Sequence, residues 1–231
     1  MEIIEEKCLP IEAAKVLDIG CGTGAFSLPL ALRGASVTAL DFSGHMLNRL
    51  TSEAQRLGIR GVKTMLASWK QIVPHNEGLF DSFDIVLSAL SVAVETTRDI
   101  LKMERCSKEW CICIASGKIR RHPLLEEVVR AFRAPTNPRP DIRRIRDKLE
   151  YLGRTFSYES FAVTERKRKA PVQLAEEVAK RLEASGRIAD RRRIVRTICA
   201  LYGCAEEDRA IEDELSVDTG ILIWRTDKKQ C

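Results

Sequence analysis

Apolar positions in the first half of the chain fall into short runs separated by longer stretches with helical spacing. Val16 to Ile19 is one such run; Gly20, Gly22 and Gly24 follow at alternate positions, and then the apolar stretch Ala25 to Leu32. A run this short, cut off by glycine, predicts a buried strand, and the stretch after it a helix. The succession recurs. Ala35 to Leu40 reads as a second strand ending at Asp41, and His45 to Leu57 as a helix with Ser43 as its N-cap and Gly58 at its end. Val62 to Leu66 reads as a third strand leading into Ala67-Ser68-Trp69, and Pro74, Asn76 and Gly78 mark a polar loop. Phe83 to Ser88 is apolar on both faces, as a central parallel strand should be. Val92 to Cys106 has a mixed helical pattern, and Trp110 to Ala115 gives a fifth strand closed by Gly117. Regular alternation of strand and helix predicts an α/β protein with a doubly wound parallel sheet.

The second half leaves that rhythm. Leu124, Leu125, Val128, Val129 and Phe132 share one face of a helix expected from Pro123 to Arg133. Pro135, Pro138 and Pro140 punctuate a loop, and a helix runs from Asp141 to about Leu152. Thr155 to Val163 alternates like an edge strand. Three helices are expected next, over Val172 to Ala184, Ala189 to Tyr202 and Ala205 to Leu215. Thr219 to Arg225 reads as a last strand. Met1 to Ala14, broken by Pro10, is a short helix or irregular lead-in.

The turn after the first strand carries the chemistry. Asp18-Ile19-Gly20-Cys21-Gly22-Thr23-Gly24 places an acid two residues before the first of three glycines, a spacing distinct from the dinucleotide pattern G-x-G-x-x-G. It resembles motif I of class I S-adenosylmethionine-dependent methyltransferases. Asp41-Phe42-Ser43-Gly44-His45-Met46-Leu47 resembles the D-x-S-x-x-M-L pattern common in small-molecule methyltransferases. The resemblance covers about Val16 to Gly117, and the final strand by topology alone. It implies a Rossmann-like seven-stranded sheet of order 3-2-1-4-5-7-6, with the last strand antiparallel beside the fifth. The expected layout is a single domain: a cofactor-binding core at 15–117, helical cap insertions at 120–153 and 170–216, and the last strand at 218–227.

The resemblance implies S-adenosylmethionine as cofactor and assigns its contacts. Backbone N–H groups of the Gly20, Cys21, Gly22 and Gly24 turn would hold the methionine carboxylate, with Asp18 near the cationic amino end. Asp41 stands 23 positions after Asp18, near the interval of about 20 residues that returns a carboxylate to a cofactor ribose. Its paired acceptors suit a vicinal diol. Phe42 would pack against adenine or the core, and Met46 belongs to the same pattern. Ser68 stands where the family often has an acid and would bond adenine more weakly. Trp69 would cover the adenine ring or lie under the next helix, and Ser88 would face the methionine end.

Other features narrow the acceptor. Ser88-Ala89-Leu90-Ser91 at the fourth strand lacks the Pro-Pro and aromatic of enzymes that methylate exocyclic amines of bases. Among His45, His75 and His122 no general base stands out, so no catalytic residue is assigned; in-line positioning can supply much of the acceleration of a methyl transfer. The eight cysteines include no C-x-x-C pair and no zinc spacing, which predicts reduced thiols and no metal. The net charge of +5 is concentrated in second-half clusters such as Arg166 to Lys169 and Arg191 to Arg193. Aromatics, 6% of residues, do not interleave with them, which disfavours nucleic acid as partner. No apolar run approaches the roughly 20 residues of a membrane span, and the N-terminus does not read as a signal peptide, so a cytoplasmic protein is expected. With so short a lead-in, an open cofactor site is expected, or one closed by a later insertion or by a second copy in a homodimer. The expectation is a methyltransferase acting on a small-molecule substrate beneath a helical cap. The alternatives are an RNA methyltransferase docking through the basic cap, or a degenerate cofactor-binding scaffold without turnover.

Overall fold

The computed structural model describes residues 9–121, 123–132, 141–184, 186–203 and 210–226. Seven strands form one sheet: β1 (Lys15–Ile19), β2 (Ser36–Asp41), β3 (Val62–Leu66), β4 (Phe83–Ala89), β5 (Ser107–Arg121), β6 (Phe156–Lys169) and β7 (Ile211–Arg225). Their order is β3-β2-β1-β4-β5-β7-β6, as expected. The helices are α1 (Ser27–Leu32), α2 (Gly44–Arg56), α3 (Thr97–Cys106), α4 (Pro123–Ala131), α5 (Ile142–Tyr151), α6 (Pro171–Ala184) and α7 (Arg191–Tyr202).

β1 is central and fully paired. Val16 lies opposite Val37 of β2 on one side and opposite Ile85 of β4 on the other, both parallel. The order therefore reverses between β1 and β4, where open α/β sheets bind ligands beyond their carboxyl ends. Side-chain alternation sorts the core onto two faces. Leu17, Ile19, Val86 and Cys111 pack with Met103 of α3 and Leu149 of α5, whereas Val16, Val37, Ile85 and Ile112 pack with Leu30 and Ala31 of α1. On the first face Glu104 accepts both nitrogens of an Arg154 fork at 2.9 Å and the Trp224 indole N–H at 3.0 Å, which neutralises a buried carboxylate.

The chain forms two compact units: Met1–Ser116 with Pro140–Ser160 and Thr219–Cys231, and Gly117–Arg139 with Phe161–Asp218. The division falls within β5, β6 and β7, each far longer than its sequence pattern suggests. Gly117 does not end β5. A Cβ there would lie 2.8 Å from the Asp218 Cβ, so the glycine lets β5 and β7 pass at close range. At the other end Thr226 N donates to Glu109 O, so the two strands run antiparallel. The helix expected over Ala205 to Leu215 is not formed in its described part: from Ile211 the chain is already β7, since pairing between β5 and β6 overrides local helical preference. Residues Ala205 to Arg209 lie outside the described residues, as do the Pro135 to Pro140 loop and most of the N-terminal lead-in.

The second unit has its own core. Val128 and Val129 of α4, Leu174 and Val178 of α6, and Ile194 and Ile198 of α7 bury one another. α5, expected within a cap, belongs instead to the first unit, where Ile142, Ile145 and Leu149 are buried in the main core.

Candidate functional site

The turn after β1 is built on its own backbone. Gly20 N and Cys21 N both donate to Leu40 O, Gly22 N to the Asp41 carboxylate at 2.9 Å, and Gly24 N to Cys21 O. These N–H groups, expected to hold a ligand carboxylate, are engaged within the protein. Gly20 has φ +72°, and a Cβ there would fall 2.0 Å from Ser91 Oγ, so only glycine lets the chain after β4 close down on the turn.

Asp41 ends β2 nearly buried. One oxygen accepts from Gly22 N and the other from Ser43 N at 2.8 Å, tying the glycine turn to the start of α2. A carboxylate has about four lone-pair sites, so acceptors remain for a ligand. Asp18 lies 2% exposed in β1 and accepts from Ser27 Oγ at 2.6 Å. Burial pushes its pKa up to about 6; the neighbouring Asp41 charge adds to this and the Ser27 bond opposes it.

A cavity of about 200 Å³ opens beside these groups. Gly20, Leu40, Asp41 and Phe42 line it from the ends of β1 and β2. Ala67, Ser68, Trp69 and Lys70 line it from the segment after β3, and Ser91, Val92 and Ala93 from the segment after β4. At this size it admits part of a drug-sized ligand, whose pockets run from about 300 Å³ upwards.

Of the residues read from the sequence, the structure brings Gly20, Asp41, Phe42, Ser68 and Trp69 to one cavity. Phe42 is largely exposed at its rim. Trp69 is both core and wall: it is 3% exposed, and its indole N–H is buried without a partner. Asp18, Cys21, Gly22 and Gly24 support the turn from outside the cavity lining; Cys21 is buried with Leu28 and Leu50, and burial pushes its thiol pKa up. Met46 lies in the first turn of α2, where its N–H donates to Ser43 Oγ. Ser88 is buried with its hydroxyl donated to Ile19 O at 3.3 Å, and the wall is formed by Ser91 to Ala93 instead. The signal for that lies in one residue: Leu90 takes a left-handed φ of +52° and turns the chain back toward Gly20. His75 stacks on Phe80, His45 is exposed on α2, and His122 lies outside the described residues. Among the described residues no group of three or more His, Cys, Asp or Glu gathers as a metal site.

The family model described as "Methyltransferase domain" matches residues 16–109, which hold β1 to β4, α3 and every residue of the cavity. Over residues 16–109 the chain is similar to methyltransferase domains. The chain is 30% identical over 124 residues to a ubiquinone biosynthesis O-methyltransferase of Methylobacterium nodulans, covering 54% of this chain and 46% of that protein. Among solved structures, the YcgJ protein of Bacillus subtilis aligns with TM-score 0.59 at 18% identity, over 96% of this chain and 97% of that one. Magnesium protoporphyrin IX methyltransferase from Synechocystis, with bound SAH, aligns with TM-score 0.51 at 14% identity, over 95% and 78%. At these identities the structures show a shared fold. The chain spans less than half the length of the curated relatives it matches.

The residues of the matched region fit the cofactor of such domains. Asp18 is a buried acid behind the turn, and the cofactor's amino end is cationic. Asp41 offers acceptors at the cavity wall, and Trp69 offers a buried, unpartnered donor.

Proposed function

We propose that the chain transfers a methyl group from S-adenosylmethionine to a small-molecule acceptor. The observation that carries this reading is the grouping of Asp41, the Gly20 turn and Trp69 around one cavity at the sheet's switch point, with the buried Asp18 behind the turn. The cofactor supplies an electrophilic methyl on a sulfonium, itself a good leaving group. The work left to the chain is to bind and align. Asp41 takes the ribose hydroxyls, Asp18 faces the amino end as a carboxylate, and Trp69 and Phe42 flank the base. Ser91 stands against Gly20 in the cavity wall. The curated relative named for ubiquinone biosynthesis supports a small acceptor, as does the sequence after β4, which lacks a Pro-Pro-aromatic motif.

Incubation with methyl-labelled S-adenosylmethionine and two acceptor pools tests the reading. One pool holds small phenols, amines, thiols and carboxylic acids; the other is total RNA. Label is expected in the small-molecule pool. Label in RNA alone would replace the acceptor class, and cofactor binding with label in neither would favour a scaffold without turnover.

A further inference from the structure

We propose that Lys102, which does not line the cavity, is a positioning residue for the nucleoside end of the cofactor, acting through Trp69. The proposal rests on the cofactor reading above. Ser68 to Ile72 forms a turn closed by its own bonds, Gln71 N and Ile72 N both donating to Ser68 O at 2.9 and 3.0 Å. Lys102, on α3, adds what those bonds do not. Its ammonium donates to the Trp69 and Ile72 carbonyls and sits 4.5 Å from the centre of the Trp69 ring. An ammonium has three donors, and two carbonyls and a ring face occupy them. Partly buried, the cation holds an aromatic face more strongly than it would in water.

A second bond runs the other way. Lys70, from the turn, donates to Asp99 of α3 at 2.8 Å. Asp99 also accepts from Thr96 N and Thr96 Oγ1, completing the capping box that starts α3. Ser91 to Ala93 lead into that cap. The two segments that wall the cavity after β3 and after β4 are thus locked together by a reciprocal pair of lysines, one from each side. Trp69 carries the buried indole N–H that lacks a partner. A donor in a cavity wall aids binding only if its ring is held in one place, and the lock holds it there.

The test compares K102M, K102Q and K102R with the native chain by calorimetry, using S-adenosylhomocysteine and 5′-methylthioadenosine, which lacks the amino-acid end. K102M is expected to weaken both ligands by the same factor of about tenfold, ~1.4 kcal/mol. K102R, which keeps charge and donors, should recover most of that loss. If K102M does not fold, K102Q, which keeps a donor but not the charge, carries the same expectation. Native-like affinity in K102M or K102Q with only a lower Tm overturns the proposal, because the lock is then structural alone. Weakening of S-adenosylhomocysteine without 5′-methylthioadenosine also overturns it, as does a loss that K102R fails to restore. A native chain that binds neither ligand removes the cofactor reading itself, a distinct failure visible before any variant is made.

Discussion

Asp18 gives the site a pH dependence of definite sign. Its carboxyl is buried behind the glycine turn, and burial is the main cause of a pKa raised from 3.8 to about 6. A carboxyl whose folded pKa lies above its unfolded value favours folding while protonated, and that advantage is lost as pH rises through about 6. A shift of about two units corresponds to roughly 3 kcal/mol. A ligand that brings an ammonium beside Asp18 favours the carboxylate again, so binding below pH 6 releases a proton and tightens as pH rises. If the ammonium restores the ordinary carboxylate value of 3.8, the affinity at pH 5 falls about tenfold below that at pH 7. The ligand's own ammonium and carboxylate keep their charges over that window. Calorimetry with S-adenosylhomocysteine at pH 5, 6 and 7, in buffers of different ionisation enthalpy, reads both the affinity and the proton count. D18N should flatten the profile, and without ligand it should be more stable than the native chain above pH 6, by as much as about 3 kcal/mol. A pH-independent affinity in the native chain, or an unchanged slope in D18N, would refute the reasoning.

Three further outcomes follow from the same structure. D41N removes the charge from a carboxylate that holds Gly22 N and Ser43 N and faces the cavity; at about 1.5–3 kcal/mol per charge-assisted bond, S-adenosylhomocysteine affinity should fall by tenfold or more. G20A places a Cβ 2.0 Å from Ser91 Oγ and should abolish cofactor binding while lowering Tm, whereas G22A meets no atom within 4 Å and should cost only the backbone strain of about 1–2 kcal/mol. R154M leaves Glu104 buried with the Trp224 N–H but without its guanidinium, and urea unfolding should show a loss of about 3 kcal/mol.

The first half of the fold was legible because β1 and β2 are short apolar runs that end at a glycine turn and at an acid, and Asp18, Gly20 and Asp41 sit at those ends. The second half was less so. Gly117 reads locally as a terminator, and only the closeness of Asp218 shows it to be a crossing point in a long strand. Ile211 to Leu215 carries too many acids to declare a strand, and its partners are distant in sequence. In the site, the part missed was what tertiary structure decides: the left-handed Leu90 that returns Ser91 to the turn, and Lys102, which reaches a carbonyl 33 residues away.

Titration of S-adenosylhomocysteine into the native chain, shown to be folded by circular dichroism, tests the central claim most directly. One site per chain is expected, saturating well below about 1 mM and weakened tenfold or more in D41N. Failure of the folded native chain to saturate at that concentration would contradict it.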